Sequence, residues 1–495
     1  MTGEGSSSGA VHKTEGAAPR PKLPAPKNGE HITILSIDGG GIRGLIPLAI
    51  LAFLEEELKE IDGEDAAIAD YFDVIAGTSM GGLIAAMLAA PNEARTRPKY
   101  SVDDIEGFYR HHGPKIFNST RYLRGSIQPI VIYFILKFWS PHLKLWGTVG
   151  WVCHNIHKRW KWAQDKESLM LACMGPKYDG KALEEAIKEK MDGLTIADTV
   201  TAIVVPTFDV KRLEPVIFSS FKPPTGIKEK KSPSLKDVCM GTTAAPTFFP
   251  AHPFKNVFVQ DGVTKTEHYH LVDGGLAANN PTMVAITSVA TQVLRNNPDY
   301  PVLGKHSYKK YMILSIGTSY AKERDIYTAD ECREWGALDW VCKGEYNPLI
   351  DMLSYGNDFL VNHHVASLFQ SQDCEANNYL RIQATVSDSS EIDGSFKKKG
   401  VIPMDAATDV NMDKLYKIGG RLLGMPMART DVTTGKYKDV DTTLNKDKLK
   451  DFAKKLKVER NLRLMGVREA EAGKGVQLKT EKGSGGGGGK SKSKS

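Results

Sequence analysis

Two apolar runs constrain this chain more than any other feature, because each breaks into a small-residue turn and then into a helical pattern. His31–Ile37 (HITILSI) leads into Asp38-Gly39-Gly40-Gly41-Ile42-Arg43-Gly44 and the helical stretch Leu45–Glu60. Tyr71–Ala76 (YFDVIA) leads into Gly77-Thr78-Ser79-Met80-Gly81 and the helix Leu83–Ala90, which Pro91 stops. Thr201–Val205, Val216–Ser220, His268–Val272 and Tyr311–Ile316 read as further strands, separated by helical or loop sequence. Strand–helix alternation of this kind specifies an α/β fold with a mostly parallel central sheet and helices on both faces.

The turn at 77–81 is a G-x-S-x-G between a strand and a helix. A serine nucleophile has to project from a sharp, strained turn, and small flanking residues let the backbone make that turn. The helix that follows brings backbone N–H groups and a positive dipole end to where an oxyanion would develop. A merely structural turn is the competing reading. The turn at 38–44 contains Gly39-x-Gly41-x-x-Gly44, the spacing of a dinucleotide fingerprint. The acidic partner that such a site needs at the end of a second strand is missing, since Glu55–Glu60 ends a helix. No G-K-[ST] follows either, so a P-loop is excluded. What remains is an anion nest of glycine N–H groups, or a plain glycine turn. Asp273-Gly274-Gly275 follows the strand-like HYHLV and precedes a helix start at Asn279-Asn280-Pro281. An Asp at a strand's C-terminal end points into the crevice where α/β proteins place ligands.

Taken in order, D-G-G-G-x-R-G, G-x-S-x-G and D-G-G resemble the pattern of the patatin-like phospholipase family, specifically the plant lipid acyl hydrolases. The resemblance runs from about residue 31 to about residue 465. It takes in Lys177-Tyr178-Asp179-Gly180, Pro206-Thr207-Phe208-Asp209, Arg212–Ser220 and Ala245–Pro250. It implies the patatin-like fold of Ser–Asp dyad hydrolases, with Ser79 as nucleophile and Asp273 as general base. It also implies an oxyanion region of Gly39, Gly40 and Gly41 with Arg43 nearby, and a nucleophile elbow completed by Gly77, Thr78, Met80 and Gly81. Gly44, Gly274 and Gly275 are the remaining motif glycines. The implied activity is hydrolysis of fatty-acyl esters of phospholipids or galactolipids, of the phospholipase A or galactolipase type, independent of calcium and without a cofactor. Its implied setting is lipid catabolism and defence signalling. A storage or lipid-binding protein of low turnover is the alternative.

A dyad without histidine raises a physical difficulty. A carboxylate with a pKa near 4 is a weak base toward a serine hydroxyl unless desolvation raises it or the oxyanion site carries much of the barrier. One oxyanion donor is worth roughly 2.7–4 kcal/mol, so a glycine nest can compensate for a modest base. An ordinary Ser–Asp–His triad would need His306, His363 or His364. The glycine loop directly after the first strand fits the dyad better, and adjacent histidines in an apolar helix more often cap or pack than catalyse.

The 495 residues are 41% apolar and 25% charged, which excludes a largely disordered or collagen-like chain. Residues 1–30 read as a disordered leader, 31–472 as the catalytic domain and 473–495 as a flexible Gly/Ser/Lys tail. Segment 121–174 breaks the strand–helix rhythm, holds five of the seven tryptophans and, by the resemblance, is an insertion. It reads either as an element that docks on membranes or caps the acyl channel, or as a buried hairpin that packs its tryptophans into an enlarged core. Its apolar stretch 127–139 is too short to span a bilayer, which takes about 20 apolar residues. The six cysteines form no C-x-x-C pair, and Asp62-Gly63-Glu64-Asp65 lacks the ligand spacing of a calcium loop, so no metal site is expected. The leader has no apolar core of a secretory signal, and Thr2 excludes N-myristoylation. A cytoplasmic, peripherally membrane-associated protein is the expectation.

The net charge of +6 is unevenly spread. Segment 121–174 carries eight Lys/Arg against Asp165 and Glu167, and the tail six lysines against Glu481. With the leader at +1, the remainder is left at −6. Lys158-Arg159-Trp160-Lys161-Trp162 interleaves cations with aromatics, a pattern that suits an anionic membrane surface better than nucleic acid in such a chain.

Overall fold

The computed structural model describes residues 20–118, 175–221, 232–260, 263–301, 307–318, 327–341, 343, 348–374, 378–383 and 403–483. The expected insertion at 121–174 lies outside them. The strands are β1 (Ile32–Ile37), β2 (Val74–Gly77), β3 (Ala202–Asp209), β4 (Glu214–Ser219), β5 (His252–Gln260), β6 (Val263–Asp273), β7 (Tyr311–Ile316), β8 (Tyr379–Ile382), β9 (Pro426–Thr430) and β10 (Tyr437–Leu444). The helices are α1 (Leu45–Asp62), α2 (Met80–Ala89), α3 (Val102–Ile116), α4 (Lys181–Met191), α5 (Leu235–Thr243), α6 (Gly275–Ala278), α7 (Thr282–Leu294), α8 (Ala329–Arg333), α9 (Ala337–Val341), α10 (Pro348–Gln370), α11 (Asp409–Leu423) and α12 (Asn445–Gly483).

The main sheet has the order β5-β6-β3-β2-β1-β7-β8, with β4 also paired to β3. The central pairs β1/β2, β1/β7, β2/β3 and β7/β8 are parallel. At one side β3/β4, β3/β6 and β5/β6 are antiparallel. All six residues of β1 are buried, as a strand covered on both faces requires. One face packs the apolar sides of α1, α2, α3 and α11 through Leu48, Leu51, Ile84, Ile105 and Leu415. The other packs α7 and α10 through Ile286, Val289, Val365 and Phe369 on Ile34, Val74 and Ile313. The expected α/β architecture with helices on both faces is the observed one.

Four strands fall where no strand was expected: β5, β8, and β9 with β10, which pair as a hairpin. The expected strand His268–Val272 is the inner part of β6, whose outer residues Val263–Thr266 are exposed. Two boundaries also differ from the compositional reading. Residues 20–30 do not behave as a disordered leader. Arg20 bonds Asp62 at 2.6 Å and Asp65 at 2.8 Å, and the Pro24 carbonyl accepts from Arg463 at 3.0 Å. Composition could not show this, since the partners lie far along the chain. At the other end α12 continues to Gly483, into the expected flexible tail. Val476–Glu481 supplies Gln, Leu, Lys and Glu, all good helix formers, between the glycines.

The topology places the crevice. β4 occupies one edge of β3 from Val204 to Asp209. The other edge is shared in succession: β2 pairs with Ala202–Val204, and the end of β6 pairs with Thr207–Asp209. Because β6 is antiparallel to β3, the C-terminal ends of β2 and β6 meet head to head along that edge. Gly77 and Asp273 end those two strands.

Candidate active site

Ser79 sits between β2 and α2 with φ 56° and ψ −130°, a left-handed conformation that side-chain-bearing residues rarely adopt. The flanking glycines make that turn possible. A Cβ on Gly77 would lie 2.1 Å from the carbonyl oxygen of Gly81, and one on Gly81 would lie 2.5 Å from that of Asp38. The start of α2 therefore presses directly against the ends of β1 and β2. Polar contacts hold the turn in place. Ser79 N–H donates to Thr242 Oγ1 at 2.9 Å, and that hydroxyl donates to the Pro206 carbonyl at 2.7 Å. Thr78 Oγ1 donates to the Ala278 carbonyl at 2.6 Å, and Tyr109 Oη donates to the Met80 carbonyl at 3.0 Å. Gly44 leaves room for that tyrosine, whose Oη would be 2.7 Å from a Cβ there.

Ser79 Oγ donates directly to Asp273 Oδ2 at 2.5 Å. Asp273 Oδ1 accepts from Gly275 N–H at 2.7 Å, which orients the carboxylate. Gly274 lies against the Pro206 carbonyl, 2.2 Å from where its Cβ would be, so this turn also admits only glycine. Asp273 is 5% exposed, and burial raises its carboxyl pKa from 3.8 to about 6, against the opposing pull of the Ser79 and Gly275 hydrogen bonds. Desolvation thus supplies part of the basicity that an ordinary carboxylate lacks.

The glycine loop after β1 lies beside the pair. A Cβ on Gly39 would be 3.2 Å from Ser79 Cβ, so a side chain there would crowd Ser79. Its three N–H groups are not equivalent. Gly39 N–H donates to the Asn279 carbonyl at 3.0 Å and is committed to holding the loop. Among the described residues, the N–H groups of Gly40, Gly41 and Met80 make no hydrogen bond. Gly41 has φ 59°, and its Cβ would lie 2.2 Å from the Met404 carbonyl. Arg43 is half-buried and turned back on its own loop, Nε donating to the Gly40 carbonyl at 3.3 Å. Burial lowers its pKa from the usual arginine value, with Tyr355 and Asp351 pulling the other way.

Neither His363 nor His364 bonds to Ser79 or Asp273. His364 is exposed, and His363 stacks on Phe359 with ring centroids 6.0 Å apart. His306 lies outside the described residues. The acidic run at 62–65 is occupied by a side chain, its Asp62 and Asp65 both holding Arg20. Among the described residues no cluster of His, Cys, Asp and Glu has the arrangement of a metal site.

Sequence reasoning missed the polar groups beneath the loop. Asp38, the first residue of the glycine motif, forms a forked ion pair with Arg381 on β8, at 2.9 and 2.6 Å. Asp358 on α10 joins it at 3.3 Å. Burial holds the Asp38 carboxyl above its ordinary range, at about 7, although Arg381 draws it down. Asp38 stood inside a recognised motif, but nothing local marked Arg381, Asp358 or Thr242.

Comparison with known proteins bears on what this arrangement does. A model of the family described as "Patatin-like phospholipase" matches residues 35–286, which span both turns and Asp273. The chain is 38% identical over 443 residues to Patatin-like protein 2 of Oryza sativa subsp. indica, covering 89% of this chain and 95% of that one. It is 37% identical over 454 residues to Patatin-like protein 1 of Arabidopsis thaliana, covering 91% and 95%. It is 33% identical over 446 residues to Patatin-2-Kuras 3 of Solanum tuberosum, covering 88% and 92%.

Proposed function

The chain belongs to the patatin-like phospholipase family, and from that premise we propose that it is a lipid acyl hydrolase cleaving fatty-acyl esters of membrane phospholipids and galactolipids through a Ser79 acyl-enzyme. The observation that carries this reading is the direct 2.5 Å hydrogen bond from Ser79 Oγ to the buried Asp273 carboxylate. In the first step Ser79 Oγ attacks the ester carbonyl carbon while its proton passes to Asp273 Oδ2. The oxyanion that forms takes hydrogen bonds from the unengaged N–H groups of Gly40 and Gly41, with Met80 N–H and the positive end of α2 alongside. Gly39 and Arg43 serve this reading as supports of the loop rather than as donors. The intermediate collapses, and the leaving alkoxide takes the proton from Asp273 as the lysolipid departs. Water then gives a proton to Asp273 and attacks the acyl carbon, and as the fatty acid departs Asp273 returns that proton to Ser79 Oγ. No step calls on calcium.

Docking on an anionic membrane through 121–174 and 473–495 belongs to the same proposal, supported by the eight and six cations of those segments. A cytoplasmic enzyme peripheral to membranes, working in lipid catabolism and defence signalling, fits it.

The test is release of fatty acid from phosphatidylcholine and from a galactolipid in mixed micelles containing a chelator. Wild type should turn over steadily, whereas Ser79→Ala and Asp273→Ala should each lose about 10³-fold or more. His363→Ala and His364→Ala should keep most of the activity. Lipid binding without release by wild type would favour the storage or lipid-binding alternative, and equal release by wild type, Ser79→Ala and Asp273→Ala would refute the dyad.

A further inference from the structure

The buried charges beneath the glycine loop are not used in the reaction above, yet they tie together the segments that carry it. Arg381 lies on β8, in register with Ser315 of β7, and its side chain is 3% exposed. Nη1 donates to Asp38 Oδ1 at 2.9 Å and Nη2 to Asp38 Oδ2 at 2.6 Å. A planar guanidinium meeting a carboxylate with two parallel bonds fixes the direction of the carboxylate as well as its position. Nη1 also donates to Ser315 Oγ at 2.8 Å, and Nη2 to Asp358 Oδ1 at 3.3 Å.

From there the network closes a ring. Asp358 Oδ1 accepts from Asn280 Nδ2 at 3.2 Å, and Asn280 Oδ1 accepts from Thr282 N–H at 3.1 Å. The residue before Asn280, Asn279, accepts the Gly39 N–H at 3.0 Å. The loop carrying Gly40 and Gly41 and the segment carrying Asp273 are thus joined twice: once directly at Gly39, and once through Asp38, Arg381, Asp358 and Asn280. All four of those side chains are buried. One guanidinium faces two carboxyl groups in a site shielded from water, so removing the cation leaves both without their charged partner, buried and driven toward protonation.

We propose that Arg381 is a positioning residue for acyl transfer, its forked hold on Asp38 fixing the Gly40 and Gly41 N–H groups against the Ser79–Asp273 pair. The inference rests on the proposed hydrolase reading. Arg381 touches neither substrate nor dyad, and acts through the direction it imposes on the first residue of the loop. Its loss misplaces the oxyanion donors while leaving the direct Ser79–Asp273 hydrogen bond in place.

The experiment uses the full chain and 4-nitrophenyl butyrate, a soluble ester that needs no membrane surface. Competent sites are counted by complete labelling of Ser79 with a fluorophosphonate, so that kcat is expressed per folded site. Arg381→Ala should lower kcat about 10²-fold, the scale of a lost oxyanion donor, with KM within about threefold of wild type. Free guanidinium at millimolar concentration should restore about tenfold of that loss, because it can re-form the fork on Asp38. Arg381→Lys, which keeps the charge but not the fork, should fall between, about tenfold below wild type. Wild-type kcat per site in Arg381→Ala would overturn the proposal. So would a loss that vanishes once labelled sites are counted, or one that guanidinium does not relieve. Should Arg381→Ala not fold, Arg381→Lys carries the test, and a wild-type kcat there overturns it. Inactivity of the wild type toward any ester would instead sink the hydrolase reading itself.

Discussion

Ser79 is held at φ 56° and ψ −130°, which costs a residue with a side chain of order 1–3 kcal/mol, and the surrounding contacts have to sustain it. They do so with groups distant in sequence: Thr242 on its N–H, 163 positions away, and Asp273 on its Oγ, 194 positions away. The same burial that makes those bonds strong makes Asp273 a better base, lifting its carboxyl to about 6. Only the unprotonated carboxylate can take the Ser79 proton, so kcat/KM for a soluble ester should fall as pH drops through about 6, roughly tenfold per unit below it, and level off above. A pH–rate profile flat down to pH 4 would remove Asp273 from the role of base. Ser79 and Asp273 were legible because each carries its own local signature, a tight turn flanked by small residues. Arg381 was not legible. It stands 343 positions from Asp38, and its immediate neighbours on β8 are those of an ordinary buried strand.

Elements succeed or fail here on how closely their ends approach. The first turn of α2 rests on the ends of β1 and β2, with Gly81 the closest point. Gly81→Ala would set a methyl group 2.5 Å from the Asp38 carbonyl oxygen and 2.6 Å from that of Ile37. Backbone cannot yield as a flexible side chain can, so this substitution should cost about 3 kcal/mol or more. Denaturant unfolding of the purified variant measures that loss, and a cost below about 1 kcal/mol would mean the helix is free to retreat from the strands. In the parallel half β1, β2, β3 and β7 were legible from alternating apolar runs and helices, whereas β8 was not. On the antiparallel side β4 and the inner part of β6 were legible, whereas β5 and the outer part of β6 were not. β5 and the outer part of β6 form a hairpin in which the exposed Val257 and Val259 flank the buried Phe258. The exposed Val263 leads into Thr264-Lys265-Thr266, and the whole is too short in apolar residues to read as a strand buried on both faces. That missed hairpin matters, because β6 carries Asp273 toward β2 from the opposite direction. In a wholly parallel sheet the two strand ends would not have met head to head.

At the scale of the molecule, charge and chain ends set the remaining questions. A net charge of +6 conceals two basic segments attached to an acidic remainder, and 121–174 joins eight cations to five tryptophans. Deleting 121–174 should reduce sedimentation with vesicles of anionic phospholipid severalfold at physiological salt, while hydrolysis of a soluble short-chain ester persists. Undiminished sedimentation of the deletion variant would end its assignment as a membrane-docking element. Among the described residues no helix is long and apolar enough to cross a membrane. The N-terminal boundary shows how whole-molecule contacts override composition. Arg463 is fully buried, paired to Asp73 at 2.6 Å and to Glu459 at 2.8 Å, and it reaches the Pro24 carbonyl of a segment that composition alone would leave unstructured. By itself, the sequence determined the α/β class, the two glycine turns, and the turns that carry Ser79 and Asp273, because short-range sterics and periodicity write those locally. Only the tertiary structure decided that β2 and β6 share one edge of β3, that Gly39 N–H is already committed, and that Arg381 underlies the loop. Each of these depends on which distant groups a buried edge, donor or charge finds as its partner, and burial makes such pairings obligatory without leaving a mark on neighbouring residues.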